Sequence, residues 1–301
     1  MTPPTKHLHI AILDTDVPVP TVYARRGLYS SQFRHLLRAA AATINNADYE
    51  IHTTAFDVVG GELPAYGSLY TTKSPETTDA VNPLSYPITG ILITGSSAAA
   101  YATTLYPWID PLTEFLRTVH AQYPAVRVFG SCFGHQLIAR ALLSSNPPKT
   151  DHVWDDGREA GPYVAVEPAP GGREVGLKTV TLFPEFVGRF PEAFARRRWE
   201  MQMIHGDHVR ILRPLPQDWC VIGRSEECAV QGLYWPGQVL SYQGHFEFDA
   251  EVNRETCLEF ARRENWSGED VGRWVQAIGD GTQRNDAEGA AEVVEIPISH
   301  R

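Results

Sequence analysis

The chain has 301 residues, and its 43% hydrophobic and 21% charged residues are those of an ordinary globular protein. Acidic residues outnumber basic ones by 36 to 26, and the resulting net charge of −10 argues against nucleic acid or an anionic membrane as the main partner, because both attract basic surfaces. The four scattered cysteines are too few for a disulfide framework, and with no signal-peptide or membrane-spanning pattern we expect a cytoplasmic protein.

Short apolar runs alternate with helical patterns along the chain. The runs at residues 8–13, 90–94, 126–129, 180–183, 220–223 and 239–242 predict buried strands. Apolar residues at helical spacing predict helices around residues 36–42 and over residues 108–119 and 133–143. This order predicts an α/β fold with an open, mostly parallel, twisted sheet that carries helices on both faces. Because the second half holds more strands and loops, we expect the sheet to be mixed.

Three segments lack a clear pattern of secondary structure. Residues 60–87 and 144–172 are rich in glycine, proline and other turn formers, and they predict long loops or insertions. After Gly279, five acidic residues stand against two basic ones, which predicts a loosely held terminus. We therefore predict one domain over residues 1–278 and an acidic, flexible tail over residues 279–301.

Cys132 lies where the apolar run at 126–129 meets the helical pattern at 133–143. Gly130 and Gly134 flank it and permit a sharp strand-to-helix turn, the arrangement of a nucleophile elbow. The positive end of a helix that begins near Phe133 favours the thiolate, and the Phe133 N–H is placed to donate to an oxyanion. A lone cysteine is usually buried and inert, which is our interpretation of Cys220, Cys228 and Cys257. The fixed spacing of Gly130, Cys132, Gly134 and Gln136 sets Cys132 apart.

His245 and Glu247 lie two residues apart, just after the run at 239–242. Residues i and i+2 of an extended segment face the same side, so we expect the Glu247 carboxylate to hold one imidazole nitrogen while the other meets the Cys132 thiol. A His-x-Glu pair by itself is a weak signal, because short patterns often occur by chance. About 110 residues after an elbow cysteine, it predicts a Cys-His-Glu triad.

The two motifs resemble those of class I glutamine amidotransferases. The family's Gly-x-Cys-x-Gly-x-Gln motif is matched by Gly130, Cys132, Gly134 and Gln136. Its His-Pro-Glu motif is matched by His245 and Glu247, with Phe246 in place of the proline. The resemblance covers roughly residues 10–260 and implies a flavodoxin-like glutaminase fold.

Two further segments are similar to the same family but are less specific. Residues 91–96 form a strand that ends at Gly95, where the family supplies a second oxyanion amide, although Thr-Gly-Ser replaces the Gly-Gly-Pro of many members. The segment His205-Gly206-Asp207 is similar to the His-Gly-Asp segment of members that stand alone or resemble the glutaminase of GMP synthase.

The resemblance implies a cysteine-dependent amidase that acts through a γ-glutamyl thioester. Cys132 is the implied nucleophile, His245 the acid and base, and Glu247 the residue that orients His245. The N–H groups of Gly95 and Phe133 are the implied oxyanion donors. The implied substrate contacts are Gln136, His205, Gly206 and Asp207. The expected substrate is glutamine or a γ-glutamyl compound, from which ammonia or an amine is released.

The sequence leaves the substrate and the acceptor open. The glutaminase-like region takes about 250 residues, so we expect any ammonia-accepting synthetase to be a separate partner. A γ-glutamyl peptidase or an unusual biosynthetic acyl transferase is the alternative within the enzyme class. A non-catalytic binding or regulatory module on the same fold is the alternative outside it.

We expect neither a metal nor a cofactor. His205, His208 and His245 include an i, i+3 pair, but no cysteine pair or HExxH spacing accompanies them. For Asp14 and Asp16, which follow the first strand, an acidic loop or a helix cap is favoured over a magnesium site. No glycine-rich nucleotide-binding motif occurs in the sequence.

Overall fold

The computed structural model describes residues 6–43, 49–72, 74, 82–144, 161–190, 198–283, 285–287 and 289–291. The strands are β1 (Lys6–Asp14), β2 (Tyr49–Asp57), β3 (Gly90–Ile93), β4 (Arg127–Ser131), β5 (Val164–Pro168), β6 (Glu174–Leu182), β7 (Arg198–His205), β8 (Asp207–Ile211), β9 (Cys220–Val221), β10 (Gly223–Arg224), β11 (Gly232–Trp235) and β12 (Val239–Tyr242). The helices are α1 (Pro20–Arg26), α2 (Tyr29–Thr43), α3 (Ile109–Gln122), α4 (Phe133–Leu143), α5 (Pro184–Val187), α6 (Ala250–Glu264) and α7 (Gly268–Ile278).

The main sheet has seven strands in the order β2-β1-β3-β4-β12-β11-β9. The first five pair in parallel, whereas β11 pairs antiparallel with both β12 and β9. The predicted fold class, an α/β protein with a mostly parallel but mixed sheet, is confirmed. The apolar runs at 8–13, 90–94, 126–129 and 239–242 form β1, β3, β4 and β12, four adjacent strands of this sheet.

Each face of the main sheet packs against its own hydrophobic core. Successive side chains of a strand point to opposite faces, so Ile10 and Ile12 of β1 lie in one core while Ala11 and Leu13 lie in the other. The first core also holds apolar residues of α2, α6 and the small sheet β10-β6-β7, and the second holds those of α3 and α4. Helices therefore cover both faces, as predicted.

The strands of the second half differ in part from the prediction. The run at 180–183 belongs to β6, which lies in the three-stranded sheet β10-β6-β7 and not in the main sheet. The run at 220–223 is divided between β9 of the main sheet and β10 of the small one. The reason is that Gly223 pairs closely with Leu182 of β6, where an added Cβ would lie 2.4 Å from the Thr181 carbonyl oxygen.

The two predicted loops are partly ordered. In the segment 144–172, residues 145–160 lie outside the described residues, but residues 164–168 form β5, which pairs antiparallel with β8. The loop prediction is wrong for residues 164–168, because the strand forms by pairing with β8, which lies about 40 residues further along the chain. In the segment 60–87, residues 73 and 75–81 lie outside the described residues, and Leu69, which forms a parallel bridge with Ile88, is buried.

The described part of the predicted tail packs onto the domain. Ala290 and Ala291 are fully buried, and the Tyr242 hydroxyl donates to the Ala290 carbonyl at 3.3 Å. Asp286 exchanges hydrogen bonds with the backbone of Glu200 on β7. Residues 285–291, where described, therefore differ from the expected loose terminus, and the boundary at residue 278 stays a prediction. None of the described helices combines the length and the apolar character needed to cross a membrane.

The acidic loop after β1 serves the backbone. Asp14 accepts a hydrogen bond from the Ser30 N–H at the start of α2, at 2.9 Å, which is the capping role that the sequence favoured. Burial raises the pKa of Asp14, and the hydrogen bonds from Ser30 oppose that shift. Asp16 accepts from both the N–H and the hydroxyl of Ser97, at 2.7 Å each, and so ties this loop to the one that follows β3.

Candidate active site

The predicted site residues meet at the carboxyl ends of three neighbouring parallel strands. Gly95 follows β3, Cys132 follows β4 and His245 follows β12. A Cβ added to Gly95 would lie 2.8 Å from His245 Cε1 and 3.7 Å from the Cβ of Cys132. This edge of an open α/β sheet is where ligands usually bind, so the topology gathers the three residues at a chemically useful place.

Cys132 occupies a strained turn between β4 and α4. Its φ of 48° and ψ of −103° are unusual for a residue with a side chain, and α4 begins at the next residue, Phe133. The Cys132 N–H donates to the Tyr242 carbonyl of β12 at 2.8 Å, which fixes the turn to the sheet. The first N–H groups of a helix lack intrahelical acceptors, so that of Phe133 is available to a ligand beside the sulfur. This is the geometry of a nucleophile elbow.

Two glycines allow the elbow to form. A Cβ on Gly134 would lie 2.4 Å from the carbonyl oxygen of Ile93, and a Cβ on Gly130 would lie 2.6 Å from the carbonyl carbon of Gly134. Real Cβ atoms do not approach other atoms this closely. The start of α4 therefore packs directly against the backbone of β3.

His245 and Glu247 form a buried pair next to Cys132. The His245 Nδ1 and Glu247 Oε1 atoms are 2.8 Å apart, and the side chains are 6% and 0% exposed. The Ser131 hydroxyl donates to the second carboxylate oxygen of Glu247 at 3.0 Å. The structure thus brings the imidazole and the carboxylate together, and both His245 and Cys132 lie beside Gly95.

The segment that carries this pair is held without the proline of the family motif. The His245 N–H donates to the Gln202 carbonyl at 2.9 Å, forming a bridge to β7. The Phe246 side chain is buried and packs edge-on against Phe33, while the Phe248 ring stacks on His245 with centroids 4.1 Å apart. Core packing of the two phenylalanines therefore fixes the backbone on either side of Glu247.

Cys132 differs from the other three cysteines in having a charged side chain, that of His245, beside it. Burial by itself lowers the pKa of His245, but the charges of Glu247 and Cys132 outweigh it and raise the pKa to about 10. His245 is therefore a cation at neutral pH and places a positive charge beside the Cys132 thiol. Burial raises the pKa of Cys220 and Cys228 to about 12 and that of Cys257 to about 11, so these thiols are neutral.

Thr15, a residue that the sequence did not single out, holds the backbone at Gly95. Its hydroxyl lies 3.1 Å from the carbonyl oxygens of both Thr94 and Gly95, and its N–H donates to the Thr94 hydroxyl at 3.0 Å. In a trans peptide the N–H points away from the preceding carbonyl. Because the Thr94 carbonyl faces Thr15, the Gly95 N–H points away from Thr15.

Gln136 and His205 are largely engaged within the protein. The side-chain nitrogen of Gln136 donates to the Asp207 carbonyl at 3.0 Å and to the Gln243 side chain at 3.1 Å, which uses both of its N–H groups. The His205 ring nitrogens lie 2.8 Å from Glu174 Oε2 and 3.0 Å from the Asp207 carbonyl. Both ring nitrogens of His205 therefore have partners within the protein. Of the polar side-chain atoms of these two residues, the Gln136 oxygen remains for a ligand.

Gln243 is a second residue that the sequence analysis missed. It is fully buried, and its side-chain nitrogen donates to the Cys132 sulfur at 3.6 Å. It follows β12 directly, in the segment that leads to His245. A glutamine there carries no motif signal, because its partners lie on α4 and on the turn before it.

An open pocket of about 130 Å³ adjoins the Cys132 thiol. Its volume is below the ~300–1,000 Å³ of pockets that enclose drug-sized ligands. The predicted residues Cys132, Gln136, His205, Gly206 and Asp207 line it, together with Ser96, Ser97, Ala98, Ala99, Arg173, Ile204, Phe260, Glu264 and Trp266. The second set was not predicted, because it comes from separate parts of the chain without a shared motif.

The histidines considered as zinc ligands are not gathered into a metal site. Among the described residues, the groups with ligand atoms within 4.8 Å of one another are His7, Glu50 and His52, and Glu174, His205 and Cys228; neither includes His208 or His245. In the second group, His205 is already bonded to Glu174, which also accepts from Gln231 at 2.8 Å.

Comparison with known proteins gives the family. A glutamine amidotransferase-like protein of Schizosaccharomyces pombe is 30% identical to the chain over 244 residues, which cover 81% of each protein. The chain belongs to the glutamine amidotransferase-like family. No protein-family model matches it.

Other relatives of the family share shorter regions or only the fold. Gamma-glutamyl peptidase 2 of Arabidopsis thaliana is 25% identical over 163 residues, 54% of this chain and 55% of that protein. The crystal structure of a Thermotoga maritima glutamine amidotransferase superposes with a TM-score of 0.60 at 16% identity, covering 98% of this chain and 99% of the other. The latter similarity shows a shared glutamine amidotransferase fold.

Proposed function

We propose that this member of the family is a cysteine-dependent amidase that cleaves the γ-amide of glutamine or of a γ-glutamyl compound. The observation that carries the proposal is the buried His245–Glu247 pair, which lies with Cys132 beside Gly95, at a strained turn that adjoins an open pocket. A buried cation beside a thiol is the environment of a cysteine nucleophile.

In the proposed reaction, the Cys132 thiolate attacks the amide carbonyl carbon and forms a tetrahedral oxyanion. The N–H groups of Gly95 and Phe133 donate to that oxygen; removing one such donor typically costs about 3–4 kcal/mol of transition-state stabilisation. His245 gives its proton to the leaving nitrogen as the C–N bond breaks, which leaves a γ-glutamyl thioester on Cys132.

The second half of the proposed reaction releases the acyl group. His245, now neutral, takes a proton from water, and the resulting hydroxide attacks the thioester carbonyl. The C–S bond breaks, glutamate leaves and the thiolate is restored. Glu247 keeps the imidazole oriented through both halves and stabilises its charged form.

A γ-glutamyl peptide is the second candidate substrate. It is favoured by the relative named gamma-glutamyl peptidase 2, which matches about half of the chain. The partner differs between the candidates: a glutaminase supplies ammonia to a separate synthetase, whereas a peptidase needs no acceptor but water.

We also propose a cytoplasmic location, which is supported by the free state of all four cysteines.

The test combines turnover with labelling. The protein is incubated with glutamine or with γ-glutamylglycine, and ammonia, glycine and glutamate are measured; a glutamine-like chloroketone is used to label the thiol. We expect turnover and labelling of Cys132 in the wild type, loss of both in Cys132→Ala, and retention of both in the control Cys228→Ala. Turnover by Cys132→Ala contradicts the mechanism, and a wild type that is neither labelled nor active supports a binding module.

A further inference from the structure

Arg173 stands at the rim of the pocket and is held from two sides. Its Nη2 donates to Glu264 Oε2 at 2.5 Å, and its guanidinium carbon lies 4.5 Å from the centroid of the Trp266 ring. The Trp266 indole N–H donates to the same Glu264 oxygen at 2.8 Å. All three side chains line the pocket that contains Cys132, so the guanidinium is oriented at the entrance before any ligand arrives.

The absence of a side chain at Gly206 makes room for this guanidinium. A Cβ on Gly206 would lie 2.6 Å from Arg173 Nη1. Any larger residue at this position would displace the tip of Arg173 from the pocket rim. The glycine of the His205-Gly206-Asp207 segment therefore has a physical role here, which is to let Arg173 lie across the rim.

Arg173 carries the one fixed positive charge among the described residues that line the pocket, where the carboxylates come from Asp207 and Glu264. Burial raises the pKa of Asp207, and the charge of Arg173 opposes that shift. The Arg173 side chain is 37% exposed, and a guanidinium has five N–H groups, so donors remain for a ligand after the bond to Glu264.

We propose that Arg173 binds a free carboxylate of the substrate. A guanidinium pairs with a carboxylate through two parallel hydrogen bonds, and the pairing gives both affinity and orientation. The inference rests on the proposed amidase function and assigns to Arg173 the recognition of a carboxylate of its substrate. Two sources fit the same chemistry: the α-carboxylate of the glutamyl part, or the terminal carboxylate of a leaving amino acid.

The experiment compares variants across three substrates. These are γ-glutamylglycine, its analogue with the α-carboxylate converted to an amide, and its analogue with the glycine carboxylate converted to an amide. Wild type is compared with Arg173→Ala and Gly206→Ala, and with the control Arg262→Ala. Arg262 pairs with Glu259 on the same helix that carries Glu264, but it does not line the pocket.

We expect Arg173→Ala to lower kcat/KM for γ-glutamylglycine by roughly 10- to 100-fold, the value of one hydrogen bond to a charged group. Gly206→Ala should act in the same direction but less strongly, while Arg262→Ala should have no effect. The loss should disappear with one capped analogue, which identifies the carboxylate. An equal loss with all three substrates, or no loss, overturns the proposal.

A binding measurement tests the carboxylate contact of Arg173 independently of the proposed amidase activity. The affinity of γ-glutamylglycine is measured by calorimetry in Cys132→Ala, with and without Arg173→Ala. A roughly 10- to 100-fold weaker affinity in the double variant supports the carboxylate contact even if wild type turns over no substrate, an outcome that would reject the amidase alone. Unchanged affinity in the double variant, or no binding to Cys132→Ala, rejects the role of Arg173.

Discussion

The substitution Glu247→Gln tests whether the buried carboxylate activates the site. Glutamine keeps the volume of the side chain, but its amide lacks the charge that faces His245 Nδ1 at 2.8 Å. A His245 pKa of about 10, against the usual value of 6.5, corresponds to roughly 5 kcal/mol of added stability for the imidazolium. The Glu247 charge contributes more of this than the Cys132 charge.

We therefore expect Glu247→Gln to remove about half of that stabilisation or more, roughly 2–3 kcal/mol. This free energy lowers kcat about 30- to 150-fold if all of it acts on the reacting state. Glu247→Asp, which keeps the charge but shortens the reach, should lie between wild type and Glu247→Gln. A thermal melt confirms that each variant is folded before its activity is compared.

Alkylation of Cys132 with iodoacetamide gives a readout that does not depend on the substrate. The His245 cation lies beside the Cys132 sulfur, and Glu247→Gln removes the charge that stabilises this cation. We therefore expect iodoacetamide to alkylate Cys132 faster in wild type than in Glu247→Gln at pH 7. A folded Glu247→Gln protein with the wild-type alkylation rate and turnover refutes the reasoning.

Two further predictions concern stability. Gly134→Ala should lower the free energy of unfolding in urea by about 1–3 kcal/mol, because its Cβ would collide with the Ile93 carbonyl. The control Gly272→Ala, whose Cβ would lie in open space on α7, should raise the free energy of unfolding by up to about 1 kcal/mol. Equal effects of the two substitutions would contradict the packing described for Gly134. Burial raises the pKa of Glu174, but the bonds from His205 and its other partners leave it below 4.5, so its stabilising contribution is present above pH 4.5 and is lost as the pH falls through the folded-state pKa. Thermal melts from pH 6 to 3.5 should therefore show a smaller acid-side loss in Glu174→Gln than in wild type, and parallel curves would count against it.

The reactive centre could be predicted because its signals are local. The elbow depends on residues within a few positions of Cys132, and β3, β4 and β12 are short apolar runs that only a buried strand explains. The pairing of His245 with Glu247 also follows from their spacing, although the segment lies beyond β12 and is held by a single bridge to β7. In each case the sequence separation is short, and chain geometry limits the outcomes.

The missed elements have patterns that depend on distant partners. The edge strand β2 mixes polar and apolar residues without a regular alternation, and no element was predicted there. Helix α6 is mostly polar, and the face that it buries consists of small or mixed residues such as Asn253, Thr256 and Cys257. The structure of β2 depends on its pairing with β1 and its packing against α2, and that of α6 on its packing against the sheet β6-β7 and against α7, none of which neighbouring residues reveal.

The same distinction separates the residues at the sheet edge from those that line the rest of the pocket. Cys132, His245 and Gly95 follow strands of the main sheet, whereas Arg173 precedes β6 and Glu264 ends α6. The two are 91 positions apart and meet only when α6 packs over the small sheet. The hydrogen bonds of Glu247 with His245 and Ser131 involve neither Arg173 nor Glu264. Under the proposed function, we therefore expect substitutions of Arg173 or Glu264 to change which amide is preferred while Cys132 keeps its reactivity.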